Sequence, residues 1–189
     1  MGSTLRWIKR RAWPLAVAGA LVLALGSTAW WVTHPDVFDE AGGFGVGGKG
    51  FPAGGTWYFG AVITPERDER RTLELKSATP VVRSDTADAE LEVFLCEVDP
   101  DAEVAGVGAQ RREPTNICRV FEPVSDGMRF LTGGGEPRHE LILRVRTTQP
   151  GVVRVEGIEI SYRDGLRRGT QVTGADVTVR ARAERSRQR

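Results

Sequence analysis

Twenty consecutive residues from Trp13 to Val32 carry no charged side chain, and Arg6, Lys9, Arg10 and Arg11 stand just before them. A helix rises about 1.5 Å per residue, so a run of this length matches the thickness of a bilayer's hydrocarbon core. Basic residues on its N-terminal side hold that end in the cytoplasm. The expectation is a cytoplasmic basic stub over 1–11, a signal-anchor transmembrane helix over 12–33, and a remainder delivered outside the cell membrane. Pro14 falls in the first turn, where a missing amide donor is tolerated. Signal cleavage after Ala24-Leu25-Gly26 is the alternative, but Trp30 and Trp31 extend the apolar run to where interfacial aromatics belong. Arg10-Arg11 lacks the flanking context of a twin-arginine export signal and reads as positive-inside charge.

The segment 34–55 reads as a linker. Eight of the residues from Gly42 to Gly55 are glycine, the composition of a flexible tether. Gly45-Val46-Gly47-Gly48-Lys49-Gly50 fits G-x-G-x-x-G and Gly43 to Lys49 the start of a P-loop. Both chemistries need a preceding strand and a following helix to hold phosphate. Phe51-Pro52 follows instead, and Gly50 stands where a magnesium-binding hydroxyl would be.

Beyond the linker, apolar residues recur with period two. Leu91, Val93 and Leu95 alternate with Glu90, Glu92 and Phe94, and Leu141, Leu143 and Val145 with Glu140, Ile142, Arg144 and Arg146. That pattern gives one dry and one wet face, as antiparallel sheets require. Strands are expected over 56–63, 72–82, 90–98, 116–124, 128–131, 139–147, 152–163 and 170–182. Seven or eight strands in one domain spanning 56–182 predict an all-β, immunoglobulin-like or related antiparallel sandwich, followed by a disordered basic tail over 183–189. Within 152–163 the apolar parity changes: Val153 and Val155 are odd, whereas Ile158, Ile160 and Tyr162 are even. One residue of slip turns every side chain over, so a bulge or bend is expected at Gly157. Asp164-Gly165 then marks a tight turn that Tyr162 is placed to brace through its hydroxyl.

Charge narrows the partners. Of 26 basic and 25 acidic residues, four basic ones precede the span, and the tail holds Arg180, Arg182, Arg185, Arg187 and Arg189 with Glu184. The body retains 17 basic and 24 acidic residues, about 7 negative, which repels phosphate backbones and argues against nucleic acid. The tail's arginines suit an anionic wall polymer or lipid headgroups. Arginine outnumbers lysine 23 to 3, as in high-GC bacterial genomes. Cys96 and Cys118 are the two cysteines, and in an oxidising compartment they are expected to form one disulfide.

Chemistry-bearing groups are sparse. His34 and His139 read as ordinary surface residues, and Ser125-Asp126-Gly127 as a turn without the frame of a nucleophile elbow. Asp99 with Asp101, and Glu66 with Asp68 and Glu69, lack calcium-loop spacing. No cofactor, metal or catalytic residue is assigned. Arg163, Arg167 and Arg168 flank the Asp-Gly turn as an interaction loop for an anionic surface or a partner's carboxylates. The function expected is a non-enzymatic envelope module that contacts or assembles with another envelope protein. A small-ligand or glycan-binding domain is the alternative, with Trp57, Tyr58 and Phe59 as its aromatic candidates, although alternate members of that trio belong inside a strand. An envelope hydrolase, which needs His139 beside a nucleophile or carboxylate, is the third reading.

Overall fold

The computed structural model describes residues 37–38, 45–47, 50–63, 70–102 and 108–183. The expected span over 12–33, the start of the linker, His34, the cluster Glu66, Asp68 and Glu69, and the basic tail from 184 onward lie outside the described residues. Among the described residues, no helix is long and apolar enough to cross a membrane.

The described chain is all-β. In order, the strands are β1 (Gly45–Gly47), β2 (Phe51–Pro52), β3 (Thr56–Ile63), β4 (Arg71–Asp85), β5 (Ala89–Val98), β6 (Ala109–Gln110), β7 (Cys118–Pro123), β8 (Arg129–Thr132), β9 (Arg138–Thr147), β10 (Gly151–Asp164) and β11 (Arg167–Arg182). One sheet runs β1-β11-β10-β4-β8, with β2 also on β11, and the other runs β6-β3-β9-β5-β7. Their facing sides share one core, to which Phe59, Leu141 and Leu143 contribute from one sheet and Leu73, Leu75, Ile158 and Val177 from the other. This is a β-sandwich. The eight longer strands coincide with the periodic segments within a few residues. The three short ones, β1, β2 and β6, exceed the expected count because two or three residues carry no readable alternation.

Two of those short strands also correct the linker. β1 and β2 pair with β11 in parallel, Gly45–Gly47 against Asp176–Thr178 and Phe51–Pro52 against Ala181–Arg182. Part of the segment expected as a tether therefore belongs to the sheet, and the ladder is not purely antiparallel. Upstream of it, Val37 and Phe38 are buried in the main core. Phe38 meets the rings of Phe130 and Tyr162 at 5.8 and 5.3 Å between centroids. The backbone N–H groups of Val37 and Phe38 donate to Gln171 Oε1 at 3.1 and 3.3 Å, and the Tyr162 hydroxyl donates to the same oxygen at 2.5 Å. Tyr162 thus braces the entering chain, through Gln171, rather than the hairpin alone.

The parity change in β10 is a bulge at the expected position. Between Val155 and Ile158, β10 advances three residues, β11 four (Val177 to Thr173) and β4 two (Val82 to Pro80). β4 makes up its shortfall by advancing two residues, Ser84 to Val82, between Arg154 and Val155, so the net extra residue lies on β11, and β10 turns its apolar side over between Val155 and Ile158. The bend brings β11 onto β3, where a Cβ on Gly174 would stand 2.3 Å from the Ala61 carbonyl oxygen. Only glycine fits there, and its φ of +94° suits no other residue.

The second sheet's outer face, expected to be wet, is half covered. Tyr58, Phe94, Cys96, Val98 and Ile142 are buried there with Ile117 and Cys118, with Phe121 packed against them. Phe94 and Phe121 stack at 4.6 Å, and Cys96 is disulfide-bonded to Cys118 with 5.3 Å between their Cα atoms. The bond closes a separation of 22 residues. Replacing both cysteines by Ala should cost roughly 3 kcal/mol in urea-unfolding stability, the loop-closure figure for such a span. Phe38→Ala should cost about 3–5 kcal/mol, as truncation of a buried aromatic does. A variant as stable as the parent would return residues 34–55 to the role of a tether.

Candidate functional site

The two-residue loop between β10 and β11 gathers the residues singled out for interaction. Asp164 pairs with Arg167 in the ladder, so Gly165 and Leu166 form the loop. Glycine at the first loop position, with φ of +61°, is the arrangement of a type II′ hairpin. The turn therefore falls one residue later than Asp164-Gly165 suggests, and Leu166 stands at the tip with 91% of its surface exposed.

Strand geometry separates the three arginines. Arg163 and Arg168 are directly opposite each other, on the face away from buried Tyr162, whereas Arg167 pairs with Asp164. Arg163 is partly buried, and its Nε donates to the Gly165 carbonyl at 2.7 Å, stiffening the loop. Arg71 approaches Asp164 at 3.6 Å. Arg168 is exposed and lines a groove of about 670 Å³ with Lys76, Asp126, Ser161 and Thr170. Beneath it, Lys76 donates to Glu74 at 2.6 Å and to Asp126 at 2.8 Å. Its hydrogen bonds to Asp126 and Glu74 raise the Lys76 pKa, and the bond to Lys76 lowers that of Glu74. A second groove of about 490 Å³, lined by Thr72, Glu74, Arg129 and Arg163, lies on the same end. Ser125-Asp126-Gly127 forms the expected turn, Gly127 with φ of +87° and the Met128 N–H donating to the Ser125 carbonyl.

Apolar exposure is one-sided. Among the described residues, the exposed large hydrophobics are Val82, Leu166 and Val172, all on the six-stranded sheet or its hairpin. The disulfide cluster covers part of the other sheet's outer face, and the ion pairs of Glu92 with Arg144 and Glu90 with Arg146 occupy more of it. Trp57, Tyr58 and Phe59 do not line a common concavity. Phe59 is in the main core, Tyr58 in the disulfide cluster, and Trp57 lies against Phe51 at 3.8 Å. Asp99 accepts the Asp101 N–H at 3.0 Å and shapes a turn.

His139 corrects the surface reading. It is 6% exposed. Its Nδ1 accepts the Leu131 N–H at 3.3 Å, its Nε2 faces Glu97 at 3.7 Å, and its ring meets Phe130 edge-on. β9 turns it toward β8, a placement that its position at a strand's start does not reveal. Burial lowers its pKa below 6.5, against the opposing pull of Glu97. A histidine so depressed resists protonation when folded and accepts it when unfolded, so stability is lost as pH falls through the unfolded value. Protonated Nδ1 also ceases to accept from Leu131. The urea midpoint should therefore drop between about pH 7.5 and pH 5, and His139→Gln should flatten that drop.

Compared with protein-family models, with curated proteins and with solved structures, the chain matches none.

Proposed function

We propose that this chain is a single-pass protein of a bacterial cell membrane, N-terminus in the cytoplasm. Its outer domain, an immunoglobulin-like or related sandwich, is a non-enzymatic module that contacts and assembles with another envelope protein. The observation that carries the reading is the exposure of Val172 on the outer face of the six-stranded sheet, where it lies opposite Glu159. Sheet faces that keep apolar residues in water are contact surfaces. The outer face of the other sheet is partly covered by a disulfide-linked cluster, which suits an oxidising compartment. The anchor reading rests on the charge and length of the N-terminal run. The groove beside Lys76 and Arg168 favours a second reading, a polar small ligand held at that end.

A photo-crosslinking amino acid at Val172 in intact cells is expected to trap another envelope polypeptide, and one at Phe121, on the covered face, to trap none. Val172→Lys should weaken co-purification of the trapped partner while leaving the melting temperature within a degree or two, as surface changes do. Absence of any adduct at Val172 and Val82 would overturn the assembly role.

A further inference from the structure

The path of the entering chain fixes which end of the sandwich lies toward the bilayer, given the single-pass reading above. Val37 and Phe38 are held at Gln171, Gly45–Gly47 lie beside 176–178, and Phe51–Pro52 beside 181–182. The chain thus arrives near the β10–β11 hairpin and runs away from it along β11. Val37 is four residues past the expected end of the span at 33, a reach of at most about 14 Å. Leu166 is five residues from Gln171 along an extended strand, about 17 Å toward the hairpin end. The two lengths are comparable, so the hairpin tip is within reach of the level at which such a span would leave the membrane.

We infer that this tip is a membrane contact: Leu166 enters the headgroup layer, and Arg168 with Arg163 takes the phosphate of an anionic lipid. The chemistry of the tip fits that occupant. Leu166 is the most exposed large hydrophobic among the described residues, and arginines stand within three residues on both sides. An apolar point flanked by guanidinium groups is the composition of interfacial segments. Arg163 and Arg168 are cross-strand neighbours of like charge, an arrangement that is unfavourable alone and favourable around a shared anion. Glu74 is the ladder neighbour of Arg163 on β4, and Lys76 already holds its carboxylate. The module would then stand on the bilayer at two points, the helix and the hairpin, with its six-stranded sheet held at a fixed inclination.

The test uses the full chain in vesicles. Leu166→Cys and, separately, Gln149→Cys at the opposite end are labelled with bimane, the native cysteines being joined to each other. In phosphatidylglycerol-containing vesicles, headgroup-level spin-labelled lipid should quench the label at 166 and leave the label at 149 bright. Arg168→Ala should shift the docked-to-undocked ratio at 166 by roughly fivefold, the contribution of one arginine at an anionic surface. A label at 166 as open to aqueous iodide as that at 149, in a chain that resists carbonate extraction, would overturn the contact and leave the anchor standing. Equal quenching in purely phosphatidylcholine vesicles would overturn the phosphate assignment. Extraction of the chain by carbonate would overturn the anchor itself, and the contact with it.

Discussion

Strand β10 has to change its buried side halfway along, and the closure of the sandwich depends on how its neighbours absorb that change. Val153 and Val155 face the core before the switch, and Ile158, Ile160 and Tyr162 after it. A strand cannot do this in a regular ladder. The flanking strands absorb it differently: from Arg154 to Ile158 β11 runs one residue longer than β10, whereas β4 slips twice in opposite senses and stays in step. The resulting bend brings Gly174 against the Ala61 carbonyl, so the two sheets meet at a corner made of backbone. It also carries the second half of β10 and its hairpin beyond the point where the chain enters at Gln171.

Entry at Gln171 is what ties the domain to whatever precedes it. One amide oxygen accepts from two backbone N–H groups and a phenol, fixing Val37 and Phe38 against Tyr162. Buried hydrogen bonds of this kind cost most when one partner is removed. A freely swinging tether would leave the orientation of the sandwich undefined. Pinning the chain at 37–38 and again at β1 and β2 fixes the strand along which it enters the fold.

Much of this architecture was legible as alternation. Eight strands, the break at Gly157 and the pairing of Cys96 with Cys118 follow from period, glycine placement and cysteine count. What escaped is what periodicity does not encode. β1, β2 and β6 are too short to alternate, and the parallel pairing of a glycine-rich stretch depends on a strand more than 100 residues later. Phe94 and Ile142 occupy positions that alternation assigns to water, and only the disulfide-linked segment folding back from Ile117 covers them. The tight turn after Tyr162 was legible, but one residue early. Moving the turn from Asp164-Gly165 to Gly165-Leu166 changes which residues oppose one another, and so separates Arg167 from Arg163 and Arg168. A leucine directly after a turn glycine was the available signal for an exposed tip. Nothing local in the sequence marks His139 as buried, since its partners Leu131 and Glu97 come from other strands.

The distribution of polar and apolar surface gives the domain a direction. One sheet has its outer face partly closed by Tyr58, Phe94, Phe121 and the disulfide, while the other leaves Val172 in water on its outer face. Sealing one face stabilises the fold and removes that face as a site for wrong partners. The ion pair of Arg83 with Glu156 lies on that sheet and adds charge around the exposed valine. At one end of this sheet the grooves, Leu166 and the arginines come together. Burial therefore decides which sheet has its outer face partly closed, and chain entry at Gln171 decides which end of β11 the preceding residues approach.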